Sequence, residues 1–522
     1  MVAAKRRKVR LGGGLAWCGI AVFLSVATVN GARGQQKFST QAAETIPAVL
    51  VSDIHFEPFF DPGKVEKLAT APVSAWKGIL EAAPSADREA SFAALEKKCP
   101  TRGEDTSYPL WQSSMRAIRR DGAVAKFATV SGDLISHSFE CKFGAAFPHA
   151  APGDYRAFVE KTIDFVIDQL DEAIAGVPVY VALGNNDSDC GDYKLDAHSA
   201  FLAAVGEEVA KSFPAAERKG IVDSYAAGGY FSARLPMENA RMLVLDDQFM
   251  GAKYVTCGGK PDATAGDEQI AWLAAQLAEA RGRHERVWVM AHIPPGVDMH
   301  STATHMDEAC GAKGPRMYLR SERLADVLEE YGDVVKLAIF AHTHMDEVRV
   351  FKAAGGKGVP VKMVSSISPI NGNASSFTLA RVDAGTAELK DYRVIAASNA
   401  TGIETSWREE YDWGKTFHES EFSARGVSEE IAGFRADSGA TKDTSRDYIK
   451  DFFVGVENPL LGMVWPQYAC GLENDSAQGF KDCVCTAGSD AKEIGNKTIA
   501  ITKAASVDAA FVIADEGKVK TD

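Results

Sequence analysis

Short apolar runs that stop on metal-capable side chains recur along this chain of 522 residues. Five segments share the pattern, and they read VSDIHFEP, VSGDLISH, LGNNDSD, VMAHIPP and FAHTHMDE. Helical stretches such as YRAFVEKTIDFVIDQLDEAIAG, with apolar residues near a spacing of 3.6, separate strand-like runs rich in β-branched residues. This alternation predicts βαβ units around a largely buried sheet, in which ligands gather at the carboxyl ends of the strands.

Seven side chains in these segments are candidate metal ligands. They are Asp53, His55, Asp133, Asn185, His292, His342 and His344. Each residue alone is more often a capped or solvated turn residue, but five blocks in a fixed order favour a common site. Carboxylate, amide and imidazole ligands in this mixture suit two adjacent divalent cations.

The five blocks resemble those of the calcineurin-like metallophosphoesterases, which read D-x-H, G-D, G-N-[HDN], H and G-H-x-H. The resemblance implies an α/β fold, with a two-sheet sandwich flanked by helices, and a hydroxide that bridges two ions sharing Asp133. One ion takes Asp53, His55, Asp133 and His344. The other takes Asp133, Asn185, His292 and His342. Zinc is the expected metal, and manganese and iron are the alternatives. Ala341 replaces the usual glycine of the last block, which removes no ligand.

A departure from the third block concerns the catalytic acid. The block often reads G-N-H, but the last position here is Asn186, which can donate a hydrogen bond to a phosphoryl oxygen and cannot supply a proton. His137, four residues after Asp133, resembles the GD-x-x-x-H histidine of acid sphingomyelinases. We therefore predict that His137 and Asn186 are catalytic and that His137 protonates the leaving alkoxide. The alternative is that His137 is a surface loop histidine.

The first 34 residues differ from the rest of the chain. KRRKVR precedes a short apolar run over residues 15–29, and small residues at 31–34 offer cleavage sites. This pattern is typical of a signal peptide over residues 1–34 and predicts a secreted, periplasmic or lumenal protein without a transmembrane helix in its mature form. A signal anchor, a lipoprotein site at Cys18 and twin-arginine export are the alternatives.

Charge and cysteine content fit an exported enzyme. The leader holds six basic and no acidic residues, so its removal would leave 51 basic against 71 acidic residues, a net charge of −20. That balance argues against a nucleic-acid-binding surface. Eight cysteines would remain, an even number typical of disulfides. Cys483 and Cys485 are predicted to belong to different disulfides, because no second close Cys or His pair accompanies them to form a zinc site.

The composition predicts three parts of the chain: a leader over residues 1–34, a metallophosphoesterase domain over 35–400 and a helical C-terminal subdomain over 401–522. Within the second part, residues 60–107 are predicted to be an insertion. VPVKMVSSIS, SFTLARVD and ELKDYRVIA follow one another without long helices and predict an antiparallel section. The Ala/Lys-rich stretch from residue 488 is predicted to be partly disordered.

These features predict an exported binuclear-metal phosphodiesterase that is similar to the acid sphingomyelinase-like phosphodiesterases. The leader, SDIHFEPFFDP, GD-x-x-x-H, the cysteines and the helical tail carry that resemblance. The GNND variant is also found in endopolyphosphatases, so an endopolyphosphatase or a nucleotide phosphohydrolase is an alternative. The expected substrate is a phosphoester of a phospholipid, a nucleotide or polyphosphate. A catalytically silent binding protein is disfavoured, because all seven ligands are present.

Overall fold

The computed structural model describes residues 44–485, except residue 175 and residues 353–356. The predicted signal peptide and the tail from residue 488 lie outside the described residues. The strands are β1 Thr45–Val51, β2 Phe127–Ser131, β3 Val179–Ala182, β4 Phe231–Arg234, β5 Ala240–Val244, β6 Arg286–Met290, β7 Val335–Phe340, β8 Glu347–Phe351, β9 Val359–Met363, β10 Ser376–Asp383, β11 Leu389–Ala397 and β12 Trp407–Asp412.

Helices connect most of these strands and follow the last one. The α-helices are α1 Val65–Thr70, α2 Trp76–Glu81, α3 Arg88–Lys98, α4 Tyr108–Asp121, α5 Phe139–Ala146, α6 Asp154–Ala173, α7 Ala200–Ala210, α8 Ala215–Gly228, α9 Thr264–Gly282, α10 Met299–Ala303, α11 Met306–Ala309, α12 Arg323–Glu330, α13 Trp413–Thr416, α14 Ala424–Ala436, α15 Asp443–Phe452, α16 Leu460–Met463, α17 Trp465–Gly471 and α18 Ala477–Cys485. No helix among the described residues is long and apolar enough to cross a membrane.

The strands form two six-stranded mixed sheets, which confirms the α/β prediction. The first sheet has the order β12-β11-β10-β1-β2-β3, and the second has the order β4-β5-β6-β7-β9-β8. β1, β2 and β3 are parallel neighbours, as are β5, β6, β7 and β9. The predicted antiparallel section is present at β10 and β11, while β9 pairs antiparallel with β8 and parallel with β7.

Side chains that alternate along the strands fill two cores. On β5, Met242 and Val244 enter the core that the second sheet shares with the first, whereas Leu243 belongs to a second core that includes residues of α9 and α12. The rings of Phe127 on β2 and Trp288 on β6 meet edge to face at 5.6 Å, so the two sheets pack against each other. Successive strand residues point to opposite faces, and both faces of these strands are buried. The strands are therefore nearly continuous apolar runs in the sequence.

The helical C-terminal region covers the outer edge of the second sheet. The backbone N–H of Val350 on β8 donates to the carbonyl of Leu472 at 3.1 Å, and the N–H of Val348 donates to the Tyr448 hydroxyl at 3.3 Å. Such capping satisfies an edge strand that would otherwise present unpaired backbone groups. The region begins after β12, and the domain boundaries given by the sequence remain a prediction.

Four disulfides join the eight cysteines between residues 99 and 485. They are Cys99–Cys141, Cys190–Cys257, Cys310–Cys485 and Cys470–Cys483. The prediction that Cys483 and Cys485 belong to different disulfides is confirmed. Cys190 lies in the loop that follows β3, and Cys310 lies in the segment that follows β6.

Candidate metal centre

All seven predicted ligands lie just beyond the carboxyl ends of parallel strands. Asp53 and His55 follow β1, Asp133 follows β2 and Asn185 follows β3 in the first sheet. In the second sheet His292 follows β6, and His342 and His344 follow β7. Since the ends of these strands lie at a common edge, residues up to about 290 positions apart in sequence meet in one place.

Five of the seven residues have left-handed backbone conformations. The φ angle is 42° at Asp53, 45° at His55, 55° at Asp133, 70° at His342 and 67° at His344. Non-glycine residues adopt this region at a cost, and such strain concentrates at functional sites where the surrounding structure enforces it. The sharp turns end each strand and let Asp53 and His55 converge, with 3.9 Å between Asp53 Oδ1 and His55 Nε2.

A first cluster of ligand atoms surrounds His55. Its Nε2 lies 3.2 Å from His344 Nε2 and 3.3 Å from Asp133 Oδ2, and His344 Nε2 lies 3.6 Å from Asp53 Oδ1. The other ring nitrogen of His55, Nδ1, lies 3.0 Å from the carbonyl of Ile135, and this contact fixes the orientation of the ring. These four residues are the ones that the resemblance assigns to one ion.

A second cluster lies on the other side of Asp133. His292 Nε2 is 3.2 Å from Asp133 Oδ2, and His342 Nδ1 is 3.3 Å from His292 Nε2. The carbonyl of Ser131 lies 2.8 Å from His292 Nδ1, which leaves Nε2 facing the cluster. Asn185, in the loop that follows β3, has a buried amide whose nitrogen donates to Asp192 at 2.8 Å. The oxygen of that amide has no hydrogen-bond partner.

Unpartnered buried atoms indicate that the pocket suits cations. Both carboxylate oxygens of Asp53 and Oδ1 of Asn185 are buried without a hydrogen-bond partner. Leaving such groups unsatisfied costs free energy, and a divalent cation satisfies oxygen lone pairs of this kind. The donor atoms of Asp53, His55 and Asp133 lie within 4.8 Å of one another, as do those of Asp133, His292 and His342. The residues present therefore fit a two-metal centre.

The pKa shifts of the site residues also suit the binding of cations. Burial lowers the pKa of His55 to about 4 and that of His342 to about 3, so both imidazoles are neutral and offer lone pairs. Burial raises the pKa of the Asp53 carboxyl to about 7. Burial opposes a charge on His292 as well, but the Asp133 carboxylate outweighs it and raises the pKa of His292 to about 10. Positive charge is thus stabilised beside Asp133.

Two further carboxylates, which the sequence did not single out, hold the ligand loops. Asp187 accepts hydrogen bonds from the backbone N–H groups of Leu134 at 2.8 Å and Gly184 at 2.9 Å, so it ties the Asp133 loop to the Asn185 loop. Asp247 accepts from the backbone N–H of His292 at 3.2 Å. In the sequence they are marked only by where they stand. Asp187 is the last residue of the GNND block, and Asp247 is the last residue of the segment ARMLVLDD.

His137 lies beside the first cluster and is held by Asp105. Its Nδ1 is 3.1 Å and 3.2 Å from the two Asp105 oxygens, and its backbone N–H donates to the same carboxylate at 2.7 Å. The ring stacks on His55 with 4.0 Å between centroids, and 31% of the His137 side chain is exposed. Burial opposes protonation, but the Asp105 charge outweighs it and raises the pKa of His137.

Asp105 was missed because it belongs to the segment 60–107, which was predicted only as an insertion. Ser368 Oγ donates to Asp105 at 3.0 Å, so the carboxylate is fixed between two distant parts of the chain. Nothing in the local sequence EDTS distinguishes it from an ordinary surface acid.

Asn186 faces Asp133 rather than open space. Its backbone N–H donates to Asp133 Oδ1 and its side-chain Nδ2 donates to Asp133 Oδ2, both at 2.9 Å. The sequence predicted a hydrogen bond to the substrate, and an amide nitrogen has a second N–H that can still provide one. The structure therefore adds an orienting contact with Asp133 to the predicted contact.

Comparison with known proteins extends over most of the chain. Residues 46–346 match the family model described as calcineurin-like phosphoesterase. Cyclic GMP-AMP phosphodiesterase SMPDL3A of Bos taurus is 21% identical over 73% of this chain and 80% of that protein. Sphingomyelinase phosphodiesterase C of Dictyostelium discoideum is 23% identical over 47% of this chain and 49% of that protein. A solved dimetal phosphatase from Danio rerio, 13% identical, covers 69% of this chain and 98% of its own, with a TM-score of 0.38.

Proposed function

Because the chain belongs to the calcineurin-like phosphoesterase family and is thus a metal-dependent phosphoester hydrolase, we propose that it is an exported phosphodiesterase working with two divalent cations. Asp53, His55, Asp133 and His344 would hold one ion. Asp133, Asn185, His292 and His342 would hold the other. Zinc is the proposed metal, and manganese or iron would fit the same mixed ligands.

The position of Asp133 is the observation that carries this proposal. A single oxygen, Asp133 Oδ2, lies 3.3 Å from His55 Nε2 and 3.2 Å from His292 Nε2. One carboxylate therefore borders both clusters, as a bridging ligand must. When bound, two cations at such a site lower the pKa of water and offset the charge of a phosphoryl group.

Two residues beside the clusters, His137 and Asn186, have different proposed roles. Because Asp105 holds Nδ1 of His137, the Nε2 atom is left to carry a proton toward the substrate. We propose that this proton passes to the oxygen of the leaving alcohol. Asn186, fixed on Asp133 through one N–H of its amide, would direct the other toward a phosphoryl oxygen.

His137 has a competing role that follows from its position. Its donor atom lies within 4.8 Å of those of His55 and His344, so it could serve as a ligand of the first ion instead of an acid. The charge of Asp105 outweighs burial and raises the pKa of His137, which favours the role of proton donor. Metal content of a His137 variant separates the two roles.

Three substrate classes remain for the phosphoester. Relatives named as a cyclic GMP-AMP phosphodiesterase and as sphingomyelinase phosphodiesterases favour nucleotide and phospholipid diesters. The GNND block favours an endopolyphosphatase or a nucleotide phosphohydrolase as the second candidate. Export is supported by the four disulfides, which form and persist in oxidising compartments.

The test uses purified protein loaded with Zn²⁺. Elemental analysis should approach two equivalents per chain, and bis-p-nitrophenyl phosphate should be hydrolysed faster than p-nitrophenyl phosphate. Two bound ions without turnover of any phosphoester would instead identify a silent binding protein. A panel of sphingomyelin, nucleotide di- and triphosphates, cyclic nucleotides, polyphosphate and monoesters then selects the substrate class.

A further inference from the structure

Tyr193 contacts a proposed metal ligand from the side that faces away from the cluster. Its hydroxyl lies 3.2 Å from Nε2 of His342, while Nδ1 of the same ring lies 3.3 Å from Nε2 of His292. The imidazole of His342 is therefore held between the phenol and the second cluster. Only Nδ1 remains directed at the position of the second ion.

This contact fixes both the orientation and the tautomer of His342. When the lone pair of Nδ1 is offered to a cation, the ring proton resides on Nε2, and Nε2–H donates to the phenolic oxygen of Tyr193. Metal-binding histidines usually donate their second ring N–H to such a partner, which raises their basicity. A partner that holds the ring matters more at His342, because the backbone of this residue has a left-handed φ of 70°.

The loop that carries Tyr193 is itself fixed. The backbone N–H of Tyr193 donates to the carbonyl of Asn185 at 2.9 Å, and its carbonyl accepts from Val255 at 3.0 Å. The Cys190–Cys257 disulfide closes the same loop. The same loop thus carries Asn185, whose buried amide oxygen has no hydrogen-bond partner, and the hydroxyl that contacts His342.

Tyr318 offers an internal comparison. Its ring meets His342 edge to face, with 5.6 Å between centroids, close to the 6.2 Å of Tyr193. Both tyrosines thus supply similar ring packing, but Nε2 has a single proton and its hydrogen bond is made with Tyr193. The guanidinium of Arg349 lies 5.9 Å from the centre of the Tyr318 ring. Removing one hydroxyl or the other separates hydrogen bonding from packing.

We propose that Tyr193 is a positioning residue that holds Nδ1 of His342 toward the second ion through the hydrogen bond at Nε2. The inference rests on the proposed two-metal function, since His342 is a ligand only there. The expected consequence is selective: loss of the hydroxyl weakens binding of the second ion and leaves the first ion, held by the His55 cluster, unaffected.

The test is a Zn²⁺ titration followed by calorimetry with a competing chelator. Wild-type protein should bind two ions, and His342→Ala should bind one tightly. Tyr193→Phe should raise the Kd of the second ion by about 10- to 100-fold, the usual effect of losing such a partner. Tyr318→Phe is the matched control and should bind both ions as wild type does. Thermal melting of the metal-free variants shows whether each one folds.

The outcomes separate this inference from the function on which it rests. Wild-type protein that binds fewer than two ions would refute the two-metal centre and the role of Tyr193 together. Two ions in wild type with an unchanged second Kd in Tyr193→Phe would refute only the positioning role. Equal weakening in Tyr318→Phe, or of both ions in Tyr193→Phe, would show a packing effect and also refute it. If Tyr193→Phe does not fold, Tyr193→Gln, which keeps an acceptor for Nε2–H, and Tyr193→Leu, which removes it, make the same comparison: Tyr193→Leu alone should weaken the second ion, and equal Kd values in the two variants would refute the positioning role.

Discussion

Replacement of His137 by alanine gives the most direct test of the proposed acid. The side chain is 31% exposed, is anchored through Nδ1 on Asp105 and is placed against His55 with 4.0 Å between ring centroids. Its removal takes away a proton donor while leaving the seven proposed ligands in place. His137→Ala should therefore keep two equivalents of metal. His149→Ala, which changes an exposed histidine that matches no motif, is the control.

The size of the effect depends on the leaving group. An alkoxide needs a proton as it departs, so turnover of a dinucleotide such as thymidylyl-thymidine should fall by about 10²–10⁴-fold. That range corresponds to about 2.7–5.5 kcal/mol of lost transition-state stabilisation. Nitrophenolate departs without a proton, so turnover of the p-nitrophenyl ester of thymidine 5′-monophosphate should fall by less than about tenfold. The two substrates share the nucleotide and differ in the group that leaves.

The role of His137 is tested by steady-state rates on both substrates, with metal content measured on the same samples. Asp105→Ala should show the same dependence on the leaving group, because it releases the ring that carries the proton. Equal losses on both substrates would indicate that His137 positions the substrate or stabilises the structure. Loss of one metal equivalent would make it a ligand, and full activity on both substrates would refute any role in the reaction.

Three further predictions concern the metals, export and pH. Asp133→Ala should lose both ions, because its carboxylate borders both clusters, and elemental analysis showing two full equivalents would contradict the bridge. Secreted protein should begin between Gly31 and Lys37 and contain four disulfides by mass spectrometry; an intact N-terminus with eight free thiols would refute both points. Burial raises the pKa of Asp451 to about 8, so the folded state binds a proton that the unfolded chain releases above about pH 4, and stability falls as pH rises between these values. Asp451→Asn should therefore unfold in urea with about 1–3 kcal/mol more stability than wild type at pH 8 and with little difference near pH 4; equal stability at pH 8 would show that the carboxyl ionises freely.

The α/β fold and the strand ends that bring the seven candidate ligands together could be predicted from the sequence, because both depend on local patterns. A buried parallel strand is a short apolar run, and the polar residue that ends it marks the edge where ligands meet. That pattern located Asp53, Asp133 and His292 before any contact was known. It also placed His137 near the site, through its spacing from Asp133.

The partners of those residues depend on contacts that no local pattern records. Asp105 reaches His137 from a segment without a motif, and Asp247 reaches His292 across 45 positions. The hydrogen bond from Asn186 to Asp133 was not expected from the sequence, because the two loops meet only when β2 and β3 lie side by side.

The sequence by itself determined which side chains can bind metal, which strands end on them and that the cysteines after residue 34 are eight, an even number. The tertiary structure alone decided which cysteines pair, which carboxylates hold the ligand loops and that Tyr193 meets Nε2 of His342. The physical reason is the distance along the chain over which each property is set. A residue's chemistry and its strand or helix preference are properties of a few neighbouring positions, whereas a hydrogen bond between residues 149 positions apart exists only once two sheets have packed together.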